Sequence, residues 1–175
     1  MRERLAPVVA PAARAGGTLR ITARADYAVR AAVELAGAYD LGWATKGDAI
    51  ARAQAIPLRF LEQILIELRH SGLVRSQRGV DGGYWLTRSP VAISVADVIR
   101  AVEGPLASVR GQRPEHLAYD GLATPLQTVW VAVRGAVRDV VERVTLADVV
   151  AGDLPDEIRA FAEQPGAWDA RDSAS

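Results

Sequence analysis

Three side chains able to read DNA bases lie within about one helical turn, near the start of the segment 57–71. They are Arg59, Glu62 and Gln63. In the major groove an arginine can donate two hydrogen bonds to guanine, a glutamine can pair with adenine, and a glutamate can accept from the cytosine amino group. A solvated helix face can have the same composition, so this segment alone supports the two interpretations equally.

A glycine-rich segment, QRGVDGG, comes soon after this one; it contains one arginine and follows another by two residues. Arg75 and Arg78 are accompanied by a single acid, Asp81. Arginine on such a tip is favoured in the minor groove, where the negative potential of DNA is concentrated. We therefore interpret Arg78 as the main DNA contact of this segment, and the alternative is an ordinary exposed turn residue.

Other kinds of chemistry have little support in the sequence. The chain has no cysteine, which excludes disulfides, cysteine nucleophiles and metal clusters held by protein thiolates. His116 lies near Glu115 and Asp120, but such a trio in a loop is more often solvated than metal-bound. The sequence contains no GxSxG, HExxH or phosphate-binding loop. We expect no enzyme, no metal site and no cofactor.

Composition and charge agree with a small DNA-binding protein. The 175 residues (18.7 kDa) suit one domain with an appended element, and no apolar run approaches the roughly 20 residues of a membrane helix. Residues 1–100 hold 14 Lys and Arg against 9 Asp and Glu (+5), whereas residues 101–175 hold 7 against 12 (−5). A basic first half can attract phosphates although the net charge is zero, and the alternative is that the charges cluster by chance. We expect a cytoplasmic protein without a membrane partner.

The elements that position these side chains follow from apolar periodicity. A first helix is predicted from the N-cap Thr22 to Gly37, and a second helix after a weak capping box of Thr45 and Asp48. The third helix, 57–71, has a buried stripe consisting of Leu61, Ile64, Leu65 and Leu68. The very short connection between the second and third helices is typical of a helix-turn-helix.

Two β-prone runs then flank a tight turn. They are 73–76 and 84–87, with Asp-Gly-Gly between them, and they predict a hairpin. A fourth helix is capped by Ser94 and ends at Gly104. The predicted fold class is therefore mainly α: a winged helix-turn-helix domain with a two-stranded β wing, followed by a long C-terminal dimerisation helix.

The long helix is predicted from an apolar seam with spacings of 4, 3, 4, 3 and 4 residues. The seam consists of Leu126, Trp130, Val133, Val137, Val140 and Val144. It extends over nearly three heptads and a helix of roughly 30 Å. Because a small domain offers no obvious cover for such a seam, we predict a homodimer; the alternative is that the helix packs back onto its own domain.

Five regions follow from these assignments. Residues 1–18 are a flexible extension, 19–104 the winged domain and 105–124 a sensor-type loop. Residues 125–151 form the dimerisation helix region, and 152–175 a short helix near 155–163 followed by an acidic tail.

Four strings in the chain resemble a known family. They are LRITARADYAVRAAVELA, FLEQILIELRHSGLVRSQRGVDGGYWL, ISVADVIRAVEG and VTLADV, the last taken as the end of the long helix. They are similar to the Rrf2 family of bacterial winged helix-turn-helix regulators, which includes iron-sulfur biogenesis and nitric-oxide-responsive repressors. The match extends from about Leu19 to Val149. It implies a dimeric transcription factor that binds a palindromic operator, usually as a repressor.

The resemblance also implies roles for individual residues. Phe60, Glu62 and Gln63 match DNA-contacting positions of the recognition helix, and Ser76, Arg78 and Gly79 match wing positions. Arg59 replaces a small polar residue, which could change operator preference. Together the predicted DNA contacts are Thr45, Arg59, Phe60, Glu62, Gln63, Arg75, Ser76, Arg78 and Gly79.

The chain departs from its cluster-binding relatives in one respect. Those relatives place three cysteines between the fourth helix and the dimer helix, the last of them six residues before a tryptophan. Counting back from Trp130, that position is Thr124 here. Cluster sensing therefore cannot operate. The loop still connects the DNA-reading domain to the dimer helix, so our hypothesis is that an unidentified small-molecule or protein effector acts there.

An interpretation from another class is a dimeric protein-interaction module of the same fold with little or no specific DNA binding. Salt dependence distinguishes the two functions. Binding through several phosphates weakens steeply as salt rises, whereas a largely apolar docking site changes little.

Overall fold

The computed structural model describes residues 21–169. The predicted extension 1–18 and the end of the acidic tail lie outside the described residues. The described chain is mainly helical with one two-stranded sheet, which confirms the predicted fold class. No helix within this range is both long and apolar enough to cross a membrane.

The first helix forms where its apolar spacing and its cap predict it. Helix α1 spans Ala23–Gly37, and the Thr22 hydroxyl accepts a hydrogen bond from the Ala25 amide at 3.0 Å. An N-cap of this kind satisfies one of the free amides of the first turn. The buried side of α1 consists of Ala25, Ala28, Ala31, Ala32, Leu35 and Ala36.

Helices α2 (Gly47–Ala53) and α3 (Leu58–His70) form the helix-turn-helix. The predicted capping box of Thr45 and Asp48 is wrong, because α2 begins one residue later. Lys46 occupies the N-cap position, and its side chain makes no capping hydrogen bond. The Thr45 backbone instead exchanges two hydrogen bonds with Tyr84, at 3.0 and 2.9 Å. The segment before α2 is thereby fixed against the sheet.

The wing is a short antiparallel hairpin. Strand β1 (Val74–Gln77) pairs with β2 (Gly83–Leu86), from Val74 opposite Leu86 to Gln77 opposite Gly83. Two glycines, one in the turn and one at the start of β2, are required by close packing. A Cβ on Gly82 would lie 2.2 Å from the Gln77 carbonyl oxygen, and one on Gly83 would lie 2.7 Å from the Thr45 oxygen. The turn residues therefore determine how closely the wing folds onto the segment before α2.

Helix α4 (Val95–Glu103) begins with the predicted cap. Ser94 and Asp97 form a reciprocal capping box, and both of its hydrogen bonds are 3.1 Å long. Its buried residues join one apolar core with those of α1 and α3. The stripe predicted for α3, made of Leu61, Ile64, Leu65 and Leu68, is fully part of this core.

The long helix is shorter than its sequence pattern predicts. Helix α5 spans Leu126–Val141, sixteen residues and about 24 Å, and a separate helix α6 follows at Leu146–Ala151. The reason is a second capping box, in which Thr145 and Asp148 start a new helix. The VTLADV string is therefore a helix start, and its assignment to the end of the long helix is wrong.

Val144 does not lie on the long helix. It is 8% exposed, and its carbonyl accepts a hydrogen bond from the Val95 amide at 2.8 Å. Leu146 is part of the same core as α1 and α3. The prediction that Val144 belongs to the dimer seam is therefore wrong. After α5 the chain returns to the winged domain, where Val144 and Leu146 are buried, so the helix does not continue.

The remaining segments are short. Residues 105–124 contain two single 3₁₀ turns, Pro114–His116 and Gly121–Ala123, with Pro114 and Leu117 buried. The predicted short helix near 155–163 is present as α7, Asp156–Ala162.

Candidate nucleic-acid interface

Helix α3 separates its apolar and polar residues onto two sides. Its buried stripe faces the core, while Arg59, Phe60, Glu62 and Gln63 are all exposed. The structure thus brings the four predicted base-reading residues together on one solvent-facing surface. A helix presenting side chains in this way can enter a major groove and reach base edges.

Phe60 is an unusual residue for a solvated surface. Its side chain is 64% exposed, and Leu58, two residues earlier on the same helix, is also exposed. Apolar side chains of this kind can contact the methyl group of thymine. The exposed phenyl ring therefore favours a DNA-facing role for this side of α3 over a merely solvated one.

The wing carries the other predicted contacts on its surface. Arg75, Ser76, Arg78 and Gly79 are all exposed. The Arg75 guanidinium lies 5.1 Å from the centre of the ring of Trp85, its partner on the opposite strand, in a cation–π contact across the hairpin. Gly79 has a φ of +110°, a backbone conformation that favours glycine at the tip.

Two polar contacts join the wing to the helix-turn-helix. The Arg69 guanidinium at the end of α3 donates to the Ser76 hydroxyl at 3.4 Å. The Lys46 ammonium at the start of α2 donates to the Gly79 and Val80 carbonyls, at 3.1 and 2.5 Å. Sequence analysis missed Lys46 and Arg69. No helical or strand periodicity indicates them: Lys46 pairs with residues more than thirty positions away, and Arg69 reaches Ser76 across the turn between α3 and β1.

Thr45 occupies a different kind of position from the other predicted contacts. It is half-buried, and its backbone amide and carbonyl are both bonded to Tyr84. The structure places it beside Lys46 at the base of the wing, away from the free tip. Its backbone anchors the wing, and only its side chain remains available to a ligand.

The surface formed by α3 and the wing is basic. Lys46, Arg59, Arg69, Arg75 and Arg78 form no ion pair with any residue within 21–169. Arginines just outside this set are neutralised, as in the pairs Arg24 with Glu67 and Arg52 with Asp48. The acids on the surface are Glu62 and Asp81, so five cations outnumber two anions. Such an excess attracts phosphate backbones.

The sequence profile of one protein family matches residues 21–152, and that family is described as iron-dependent transcriptional regulators of the Rrf2 type. The chain belongs to the Rrf2 family. The match covers every element from α1 to α6, and so includes α3, the wing and α5.

Curated relatives support this assignment. Over 145 residues the Rrf2 chain is 49% identical to Rv1287 of Mycobacterium tuberculosis, a candidate HTH-type transcriptional regulator, covering 83% of this chain and 89% of that protein. It is 33% identical over 133 residues to the HTH-type transcriptional regulator CymR of Bacillus subtilis, covering 76% and 91% of the two chains.

Solved structures show the same architecture. The structure of CymR, the global cysteine regulator of B. subtilis, matches with a TM-score of 0.66 at 32% identity, over 77% of this chain and 98% of that one. The structure of IscR from T. potens matches with a TM-score of 0.62 at 33% identity, over 77% and 88%. This Rrf2 protein is a DNA-binding transcriptional regulator and not an enzyme, as the sequence predicted.

The residues of this Rrf2 protein do not fit an iron–sulfur cluster. The chain has no cysteine, and residues 21–169 contain no group of three or more side chains able to hold a metal ion. Glu115, which precedes His116 in the loop, is engaged by Arg134. Its pKa is lowered by a hydrogen bond from its own backbone amide and by that guanidinium. Iron dependence through a thiolate-bound cluster is therefore incompatible with this donor set.

Helix α5 leaves an apolar side only partly covered. None of its sixteen residues is buried. Trp130, Val133, Val137 and Val140 are half-buried, and Leu126 is 39% exposed. Sequence analysis missed Val129, which is 47% exposed, and Ala136, which is also exposed.

Proposed function

We propose that this Rrf2 protein is a cytoplasmic homodimer that represses transcription by binding a pseudo-palindromic operator. The observation that carries the proposal is the juxtaposition of an exposed base-reading helix, α3, with a wing of unpaired arginines. In the dimer, two α3 helices about 34 Å apart would enter successive major grooves.

Each group of residues has a role in this complex. Arg59, Glu62 and Gln63 would read base edges, and Phe60 would contact a thymine methyl group. Arg75, Ser76, Arg78 and Gly79 would hold the flanking minor groove and the backbone, with Thr45 at the base of the wing. Lys46 and Arg69 would fix the angle between α3 and the wing through their contacts to Gly79, Val80 and Ser76.

The dimer would form along α5. Five apolar residues of this helix are spaced 3, 4, 3 and 4 apart on one side: Leu126, Val129 and Ala136 are exposed, and Val133 and Val140 are half-buried. Trp130 and Val137 lie beside this stripe, towards the side on which Gln127 and Arg134 bind Glu115. A two-fold pairing of such stripes covers both copies with one self-complementary contact.

Repression follows from the geometry of a bound dimer. A protein that occupies two successive grooves in a promoter excludes polymerase from that segment. The resemblance to repressors of the Rrf2 family favours this sign of regulation over activation.

Fluorescence anisotropy tests the proposal. Purified protein is titrated into labelled DNA from upstream of its own gene and into a scrambled duplex, over a salt series. We expect saturation at two protomers per site, a preference for the native duplex, and log K falling with log salt at about −0.9 per phosphate contacted.

Equal, weak binding to both duplexes calls for a random-sequence selection with the same protein. A selection that enriches no motif would contradict operator binding and favour the protein-interaction module. Saturation at one protomer per site would contradict the dimer while leaving DNA binding in place.

A further inference from the structure

A hollow of about 350 Å³ lies where α4, the 105–124 loop and α5 meet, on a different part of the molecule from the DNA-reading surface. Four arginines line it: Arg100 from α4, Arg113 from the loop, and Arg134 and Arg138 from α5. Its volume is at the lower end of the range for small-molecule sites. We call it the arginine hollow.

The positive charges of the arginine hollow are only partly neutralised. Arg134 donates to Glu115, while Arg100 and Arg138 both donate to one oxygen of Glu142. Arg113 is exposed, and its side chain pairs with no residue within 21–169. Four guanidinium groups against two carboxylates leave two positive charges unbalanced.

One further acid lies nearby and does not change this balance. Asp97 is 4.0 Å from Arg100, but it is closer to Arg88, which donates to it at 3.2 Å. Asp97 is therefore offset by Arg88, and the excess of two charges in the hollow remains.

We propose that the arginine hollow binds a small anion that carries two or more phosphate or carboxylate groups. Guanidinium is planar and donates paired hydrogen bonds, which match the oxygens of both groups. Pro105 and the largely buried Leu106 add apolar surface to the wall, so a compact organic anion fits better than a bulk salt ion.

Binding at this position would act on the orientation of α5. Arg100 to Glu142 links α4 to the end of α5, and Arg134 to Glu115 links α5 to the loop. An anion that binds these arginines competes with Glu142 and Glu115 for them. The two links then weaken, and the orientation of α5 relative to the winged domain can change. This step rests on the proposed function, because α5 then sets the spacing of the two recognition helices. By linkage, anion and operator change each other's affinity by the same factor.

The binding test uses the full chain without DNA. Isothermal titration is performed with pyrophosphate and with citrate in magnesium-free buffer, at constant ionic strength, with sodium chloride as the reference. We expect saturable binding at one site per protomer. Heat that only matches the chloride reference for both anions would overturn the proposal.

Matched variants locate the site. Arg113→Gln removes the cation that pairs with no described residue and breaks no ion pair, so the fold is retained, and circular dichroism verifies this. We expect about a tenfold loss of pyrophosphate affinity for this variant, as for the loss of one charge-assisted contact. Arg110→Gln is the control in the same loop, because Arg110 stacks on Tyr119 and does not line the hollow; its affinity should stay within twofold.

A third variant separates this site from the DNA surface. Arg78→Ala should leave pyrophosphate affinity unchanged. Loss of affinity in Arg78→Ala but not in Arg113→Gln would mean that the anion occupies the DNA surface, which overturns the proposal.

Operator binding with and without saturating pyrophosphate tests the regulatory step. An affinity change in the parent protein that is absent from Arg113→Gln supports regulation through the hollow, whereas anion binding with unchanged operator affinity overturns it. If the protein bound no operator at all, the titration without DNA would still decide whether the site exists, so the two failures are distinguishable.

Discussion

The winged domain and helix α5 satisfy their apolar residues in different ways. In the winged domain, α1, α3, α4 and α6 share one core whose central leucines and isoleucines are fully buried in a single chain. Helix α5 has no fully buried residue, and it is joined to the rest of the protomer by half-buried apolar residues such as Trp130 and Val137 and by ion pairs of Arg100 and Arg134. The winged domain therefore covers its apolar residues within one chain, whereas α5 leaves part of its apolar side exposed.

This difference indicates where stability and regulation reside. A close-packed core resists small changes, whereas polar links between exposed groups contribute little and rearrange easily. A helix held partly by such links can respond to a partner or a ligand without unfolding the winged domain.

The largest expected effect comes from a substitution in the core of the winged domain. Leu65→Ala removes a buried side chain from the centre of the core. We expect the free energy of unfolding to fall by about 2 to 5 kcal/mol, from lost burial plus the cavity left behind. Urea denaturation followed by circular dichroism measures it. The control Val131→Ala, on the exposed outer side of α5, should change stability by less than about 0.5 kcal/mol. An equal loss of stability in both variants would contradict the difference in burial between the winged domain and α5.

The second prediction concerns the proposed dimer contact of α5 and leaves the core of the winged domain unchanged. Val133→Asp places a charge in the proposed stripe, and we expect dimerisation to weaken at least about a hundredfold, because an unpaired carboxylate would be buried on association. Analytical ultracentrifugation measures the dimer constant, and circular dichroism should show an intact fold. Thr128→Asp, on the far side of the helix, is the control. A dimer unaffected by Val133→Asp would place the interface elsewhere.

The third prediction concerns the DNA-reading surface itself. Arg78→Ala should weaken operator binding about tenfold and reduce the salt slope by about one, since one phosphate contact is lost. Dimerisation and the melting temperature should be unchanged. Arg159→Ala removes an arginine of α7 that pairs with Asp153 and Asp156, and it should leave DNA affinity as it is. Unchanged affinity in Arg78→Ala would remove the wing tip from the mechanism.

The smallest expected effect concerns the polar link between α4 and α5. Hydrogen bonds from Arg138 and Arg100 hold the pKa of Glu142 below its ordinary value of 4.5. A lowered pKa means that the pair stabilises the folded protein above pH 4.5, and that this stabilisation is lost as the pH falls through the lowered pKa. The stability difference between the parent and Glu142→Gln should therefore be constant at neutral pH and shrink in acid. Urea midpoints across that range measure it, and a difference independent of pH would exclude this ion pair.

Local signals in the sequence accounted for most of the winged domain. Thr22 and Ser94 marked helix starts correctly, and the stripe from Leu61 to Leu68 identified the buried side of α3. These signals succeed because caps and helical periodicity act over a few residues. The exposed positions on α3 followed directly, since they are the complement of the buried stripe.

The errors arose where two local signals competed. The heptad pattern continued through Val144, but the Thr145 and Asp148 box also predicts a helix start, and the core decided between them by burying Val144 and Leu146. At Thr45 a weak capping pattern lost to backbone pairing with Tyr84. In both cases the deciding partner is far away in the sequence.

The sequence by itself determined the fold class, the recognition helix, the wing and the impossibility of a thiolate-bound cluster, because each depends on residue type and short-range spacing. Only the tertiary structure decided that α5 ends at Val141, that Lys46 bonds to the Gly79 and Val80 carbonyls of the wing, and that four arginines from three segments meet in one hollow. These features depend on contacts between distant residues, whose relative positions are set by the packed core rather than by any local pattern.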